Sequence, residues 1–261
     1  MQTKILLTVS YVGTAYCGYQ VQPNGITVQE MLNRAAEALF GFPCDVVGCS
    51  RTDSGVHARG FCAAITKKGE GYLPCSIPVD RIPRAFNAHL PADIAIKRAR
   101  VVDSDFHARY DVVSKEYEYL IHNSHERDPF LDNRVWQIPA PIDDTALAAM
   151  QDAAKAFIGT KDFSAFRTAG ADTAEKDAVR TVFDARVERK GELIYFRVRA
   201  DGFLYNMVRI MAGTLAAVAS GDIAPDEISS ILESKDRHRA GITAPACGLY
   251  LDRVFYRFDK D

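Results

Sequence analysis

The 261-residue sequence predicts an α+β protein of two packed halves that share a sheet. Three observations carry this reading. The first half runs strand, helix, strand, loop, strand between Lys4 and Thr66, and a similar order of strand, helix and two strands returns between Val112 and Ala200. The composition, 48% hydrophobic and 25% charged, is that of an ordinary packed domain and excludes disordered or fibrous chains.

Lys4 to Tyr11 is rich in β-branched and apolar residues and runs into Gly13, the pattern of a strand and its end. Thr27 predicts a helix start, its hydroxyl capping the first turn while Glu30, three residues on, reaches back. Val28, Met31, Leu32, Ala35 and Leu39 then fall on one face before Gly41 stops the helix. Cys44 to Cys49 and Phe61 to Thr66 read as strands flanking a polar loop, Ser50 to Gly60. Lys67 to Val79, with two glycines and two prolines, is expected to be surface loop without chemistry. Further on, Val112 to His122 reads as a strand, Asp143 to Ile158 as a helix stopped by Gly159, and Val179 to Glu188 and Leu193 to Ala200 as strands. In the last of these Ile194, Phe196 and Val198 alternate with Tyr195, Arg197 and Arg199, giving a core face and a polar face. Phe203 to Ala219 is apolar nearly all round and predicts a buried helix. No residue-by-residue repeat accompanies the repeated order of elements.

Charge and motifs narrow the function. With 32 Lys and Arg against 34 Asp and Glu, the formal charge of -2 excludes the blanket positive field of a histone-like binder. Any nucleic acid must meet a local basic patch, and between Arg180 and Arg209 seven cations stand against four acids. Six cysteines without a C-x-x-C pair suit a reducing, cytoplasmic setting. The N-terminal apolar run is brief and lacks signal-peptide features, and the most apolar stretch, interrupted by Asn206 and Arg209, falls short of the roughly 20 apolar residues a membrane span needs. A soluble protein without a membrane partner is expected. His122 and His125 have no companions arranged as a zinc site, so no metal is expected. The absence of G-x-x-x-x-G-K-[ST], G-x-G-x-x-G and G-x-S-x-G removes the usual markers of nucleotide hydrolysis, dinucleotide redox chemistry and α/β-hydrolase action, and no cofactor is expected.

The loop Gly48 to Gly60 concentrates Arg51, Asp53, His57 and Arg59 between two strands, where a rigid scaffold displays reactive groups. Asp53-Ser54-Gly55 also reads as a plain turn in which Asp bonds its own backbone. Arg209 bears on that choice. It sits within the apolar Phe203 to Ala219 segment with no acid three or four positions away, so its guanidinium calls for a carboxylate or phosphate from elsewhere, or for escape to solvent. Asp53 is a natural partner. Tyr117 shares a strand face with Lys115 and Tyr119, as a stacking surface or as ordinary sheet packing. Phe106-His107-Ala108-Arg109 and Phe163-Ser164-Ala165-Phe166-Arg167 repeat an aromatic-then-arginine pattern suited to bases and phosphates.

Taken together these blocks become recognisable. Arg51-Thr-Asp-Ser-Gly-Val-His-Ala58 resembles the R-T-D-x-G-V-H-A loop of the tRNA pseudouridine synthase A family. Tyr11 to Gln20 is similar to its Y-D-G-T-x-Y-x-G-W-Q, Asn87 to Ile94 to N-A-x-L-P-x-D-I, and Asp105 to Arg109 to D-F-H-A-R. Lys115 to Tyr119 is similar to its basic Y-x-Y strand, Asp162 to Arg167 to D-F-x-x-F-R, Asn206 to Arg209 to its M-V-R helix, and Ala244 to Leu251 to A-P-x-x-G-L-Y-L. The blocks follow in order along nearly the whole chain. The sequence departs from the pattern at Val12, Tyr19 and Glu116.

The resemblance implies two ferredoxin-like, RNA-recognition-like α+β halves sharing a mixed, mostly antiparallel sheet, with helices on one side and the active-site cleft between the halves. Residues 1–104 would carry the Asp loop, and residues 105–261 the Tyr strand and Arg helix. It implies a cytoplasmic homodimer without metal or cofactor that acts on tRNA, not DNA, and converts uridine to pseudouridine at nucleotides 38, 39 and 40 of the anticodon stem-loop. Asp53 is implied as the nucleophile and Arg209 as its ion-pair partner. Tyr117, which would stack on the target base, is implied in substrate binding together with Arg51, His57 and Leu249. Asp53 has three possible tasks: attack on the sugar, attack on the base, or removal of a proton to give a glycal. A second reading is a catalytically silent tRNA-binding module on the same scaffold. A third, a phosphate-handling hydrolase, lacks companion carboxylates for Mg²⁺ in the loop.

Overall fold

In the computed structural model, which describes residues 4–168 and 177–259, ten strands and five α-helices follow one another along the chain. The first part carries β1 (Lys4–Tyr11), α1 (Val28–Phe40), β2 (Cys44–Gly48), β3 (His57–Lys67), α2 (Ile82–Asn87) and β4 (Ile94–Val102). Then come β5 (Val112–His122), β6 (Trp136–Gln137), α3 (Asp144–Lys155), β7 (Gly159–Asp162), β8 (Val179–Lys190), β9 (Leu193–Ala200), α4 (Met207–Ser220), α5 (Glu227–Ser234) and β10 (Leu249–Tyr256). The pairings are mixed but mostly antiparallel, as the α+β reading requires.

Contacts divide the chain into Met1–Val113 with Tyr250–Asp261, and Ser114–Leu249. The boundary therefore lies beyond the expected 104/105, and the C-terminal strand from Tyr250 on belongs with the first unit. The reason is packing. Phe106 meets the Tyr256 ring edge-on at 5.1 Å, and the Tyr256 hydroxyl donates to the Ala108 carbonyl at 2.7 Å, which ties the 106–108 segment to the C-terminal strand.

In the first unit β1 is central, antiparallel to β3 on one side and β4 on the other; β2 also pairs with β3, and β10 runs parallel to β3 with Tyr250 beside His57. Leu7, Val9, Leu32, Phe61, Ile65 and Phe86 are fully buried. Thr27 caps α1 by accepting from the Glu30 amide, a bond worth about 1 kcal/mol, and Gly41 ends the helix at φ 76°. The reciprocal half of the expected capping box does not form, because the Glu30 carboxylate pairs with Arg34 one turn on, at 2.6 Å. β3 begins at His57, four residues before the expected Phe61, so the polar loop is shorter than the sequence suggested. Val9 faces Phe61 while Tyr11 faces Ala58, leaving one extra residue on β3, a bulge of the kind that re-aims side chains.

In the second unit β5 and β8 flank β9, β7 lies outside β8, and β6 pairs parallel with β5. Burial alternates strictly along β9, as its sequence predicts. Asp143 caps α3 through the Ala146 amide, and that helix ends at Lys155 rather than Ile158, Gly159 opening β7 at φ 109°. The apolar helix starts only at Met207, because Asn206 adopts a left-handed conformation at φ 61°. Among the described residues no helix is long and apolar enough to cross a membrane.

Phe163 and Phe166 are fully buried, so the D-F-S-A-F-R block builds core rather than a base-stacking surface. Its Asp162 accepts from both the amide and the hydroxyl of Ser164 and pairs with Lys235 at 2.7 Å. Burial opposes ionisation of Asp162, but Lys235 and Ser164 outweigh it and bring its carboxyl down to about 2. An unfolded aspartate titrates near ~3.9, so this pair stabilises the fold above that pH and its contribution is lost as the pH falls through about 2. Asp162→Asn is expected to lower stability at pH 7 by about 1 kcal/mol, a modest value because Lys235 is largely exposed to screening solvent. Urea titrations of both proteins should converge as the pH is taken from 4 to 2; a difference independent of pH would contradict the assignment.

Candidate active site

The Asp53 loop is held by the segment that follows β1. The Tyr11 hydroxyl lies 2.8 Å from Thr52 Oγ1, the Tyr19 amide donates to the Thr52 carbonyl at 3.1 Å, and Ser54 Oγ donates to the Tyr16 carbonyl at 3.1 Å. Two glycines permit this approach. A Cβ on Gly13 would sit 1.9 Å from the Val56 carbonyl oxygen, and one on Gly18, itself at φ 81°, would sit 2.5 Å from that of Thr52. The segment is anchored in turn by Asp93, whose carbonyl accepts from Val12 and whose carboxylate accepts from the Tyr16 hydroxyl at 2.6 Å. Burial, reinforced by that carboxylate, pushes the Tyr16 phenol up, so it stays a donor at any physiological pH. The loop itself closes as a turn through the Asp53 carbonyl and the Val56 amide at 3.2 Å, with Gly55 at φ 78°. The turn suggested by the sequence is thus present, and it carries the half-buried Asp53 on a fixed backbone.

Arg51 is exposed at the start of this loop. His57, expected to contact substrate, is fully buried on β3 instead; its Nδ1 accepts from the Gly13 amide at 2.9 Å and its ring lies 4.7 Å from that of Tyr250. With Nδ1 accepting, the neutral ring carries its proton on Nε2. His57 can reach a substrate only through the loop it holds. Tyr19, one of the departures from the family pattern, is also core: it is buried and stacks on Phe61 at 4.2 Å.

The second unit positions Tyr117, Arg209 and Leu249. Tyr117 lies on β5 opposite Val198, buried to 7% exposure, its ring edge-on to Phe203 at 4.9 Å. Glu116, the added acid, faces Arg199 across the β5–β9 pair. Arg209, in the first turn of α4, donates from Nε to the Ala244 carbonyl at 2.7 Å and from Nη1 to Asn206 Oδ1 at 2.9 Å, while its own carbonyl accepts from the Ala244 amide. These two acceptors, one a backbone carbonyl and one a side-chain amide, are neutral, so they orient the guanidinium without themselves neutralising it. Ala244 belongs to a strut that continues to β5, because the Tyr119 hydroxyl donates to the Pro245 carbonyl at 2.7 Å and a Cβ on Gly248 would strike the Tyr119 ring. Leu249 is buried at the end of this strut, just before the chain leaves the second unit.

Sequence reasoning did not single out Tyr11, Gly13, Gly18, Thr52, Asn206 or Ala244 as site residues, although each lies inside a block read for the resemblance. The available clue was the glycine spacing between Tyr11 and Gln20, which has no use in a strand and marks close approach of two backbones. Among the described residues no three His, Cys, Asp or Glu side chains gather as a metal site.

Comparison with known proteins bears on what this arrangement is for. The family model described as tRNA pseudouridine synthase matches residues 7–111 and 153–257. A protein named tRNA pseudouridine synthase A from Acetivibrio thermocellus is 47% identical over 97% of this chain and 99% of its own length. Proteins of the same name from Thermoanaerobacter pseudethanolicus and Bacillus subtilis are each 42% identical, again over 97% of this chain and 99% of their own. The matched stretches include the Asp53 loop, its glycine clamp and the Arg209 helix, and on this evidence the chain belongs to the tRNA pseudouridine synthase family.

Proposed function

We propose that this chain isomerises uridine to pseudouridine in the anticodon stem-loop of tRNA, at nucleotides 38, 39 and 40, with Asp53 as the reacting carboxylate. The observation that carries the reading is the half-exposed Asp53 on a loop fixed at both ends. The reaction breaks the bond from C1′ to N1, turns the uracil and forms a bond from C1′ to C5; C5 gives up its proton and N1 gains one, so nothing is added or lost overall. Glycosidases divide such work between two carboxylates because their leaving group departs to water. Here the uracil stays bound and returns, so one carboxylate suffices. An aspartate is ionised near neutral pH without an activating base, and an arginine close by keeps it so when water is expelled.

Arg209 is assigned that part, its aim set by Asn206 and Ala244. Tyr117 is assigned the stacking contact with the extruded base and Arg51 the contact with the flipped nucleotide, while Leu249 supplies apolar wall. Swinging a stem nucleotide out of its stack costs a few kcal/mol, to be offset by backbone contacts from the basic residues near β8 and β9. A homodimer working in the cytoplasm completes the reading. The test is tritium release from tRNA labelled at uridine C5, together with pseudouridine mapping of tRNA from a strain lacking the gene, before and after complementation. Release of label and restoration of the modification at 38–40 is the expected result; a protein that binds tRNA but releases no label would refute it.

A further inference from the structure

We propose that Tyr11 and His57 are positioning residues for this reaction: two buried side chains that pin the opposite ends of the Asp53 turn and so set the aim of its carboxylate. The inference rests on the reading of Asp53 as the reacting group. Tyr11 acts just before Asp53, its hydroxyl 2.8 Å from Thr52 Oγ1, and His57 acts four residues after it, taking the Gly13 amide on Nδ1 at 2.9 Å. Tyr11 ends β1, where the bulge separates the Val9–Phe61 pairing from that of Tyr11 with Ala58, and Gly13 follows two residues on, opening the next turn. One short segment, residues 11 to 13, therefore grips both sides of the turn. Only residues 53 to 56 lie between the grips, and the bond from the Val56 amide to the Asp53 carbonyl closes them into a ring.

Packing alone does not demand these polar atoms. Tyr11 lies against Phe61 with ring centroids 5.8 Å apart, a contact a phenylalanine would make equally well. What tyrosine adds is the hydroxyl on Thr52. At residue 57 the requirement is an acceptor at the place of Nδ1, which an asparagine Oδ1 can supply and a phenylalanine cannot. A protonated His57 would present a donor to the Gly13 amide, so the grip works only with the neutral ring.

The test compares purified Tyr11→Phe, His57→Phe and His57→Asn with the parent and with Asp53→Ala, measuring kcat and KM for tritium release, tRNA affinity by filter binding, and folding by circular dichroism. Tyr11→Phe is expected to lower kcat about 10-fold and His57→Phe about 100-fold, with KM and tRNA affinity within about 2-fold of the parent, since a misplaced reacting group costs rate rather than binding. His57→Asn is expected to recover most of the loss. Parental kcat in Tyr11→Phe and His57→Phe, or a His57→Asn no better than His57→Phe, overturns the proposal. So does a loss that follows the folded fraction rather than kcat. Should His57→Phe fail to fold, Tyr11→Phe, one oxygen smaller, carries the test. Activity in Asp53→Ala would instead remove the reading on which the inference rests, and is told apart by that variant alone.

Discussion

Asp53→Ala and Asp53→Asn are expected to lose tRNA pseudouridine formation by about 10⁴-fold or more in kcat, a loss of the size seen when a reacting group is deleted and its site left standing. The argument is local. Asp53 contributes its backbone carbonyl to the turn, and Thr52, Ser54 and His57 supply further bonds that fix it. A change confined to the side chain at 53 leaves all of them in place. Asparagine keeps the shape but is a poor nucleophile and a poor base, so it separates charge and basicity from mere occupancy. Affinity for tRNA is expected within about 3-fold of the parent, because phosphate contacts, which supply a large share of nucleic-acid affinity, do not involve a carboxylate. Residual turnover above about one per cent of the parental kcat in the asparagine variant would mean that another group carries the chemistry.

How much of this was legible beforehand depended on whether the cause lay within a few residues or across the fold. Thr27 and Gly41 were readable because a cap acts on groups one turn away, and the strands Lys4–Tyr11, Val112–His122 and Leu193–Ala200 were readable from β-rich, apolar or alternating runs. The helix expected from Phe203 failed at its start for an equally local reason, the left-handed Asn206, but nothing in F-L-Y-N-M announces it: asparagine takes that conformation when its side chain is given work, and here it holds Arg209 and Thr168. Glu30 shows the opposite error. Its capping-box partner was available, and the carboxylate took Arg34 instead, a competition between two exposed contacts of similar worth.

For the candidate site, the residues proposed to carry the chemistry were visible in the sequence and the residues that hold them were not. Asp53 and Arg209 stand out as charges in unusual surroundings, whereas Tyr11, Gly13 and Ala244 matter only because residues far along the chain come to lie against them. His57 shows how this misleads. A histidine near an aspartate in a polar loop reads as a substrate contact, but β3 extends further than its pattern suggested and takes the ring into the core. The aromatic-then-arginine motif failed likewise: Phe163 and Phe166 fill the second unit's interior, and only their spacing resembles a stacking platform.

Arg209→Met is expected to lower kcat/KM by about 100- to 1,000-fold, the usual cost of removing a charge that stabilises a reacting group, the part proposed for this arginine. Methionine matches the apolar stem and leaves the Asn206 and Ala244 acceptors without the donors they now have, so some loss of stability accompanies it. The two effects separate by pH. If Arg209 serves the Asp53 carboxylate, removing its positive charge disfavours the ionised form, and the acid limb of the kcat/KM profile moves to higher pH. A purely structural arginine would leave the limb where it is and lower only the amplitude. Arg209→Lys restores charge but not the fork, because an ammonium cannot bond Ala244 and Asn206 in fixed directions while facing an anion, so rate returns in part while the acid limb returns nearly in full. Asn206→Gly tests the aim with the charge kept, and gives up the Thr168 bond as well. Glycine accepts the left-handed backbone and removes Oδ1, leaving the charge intact, and is expected to cost about 10-fold in kcat with no movement of the acid limb. An acid limb unmoved in Arg209→Met, with folded protein and bound tRNA, would mean that the guanidinium serves the α4 terminus and not the carboxylate.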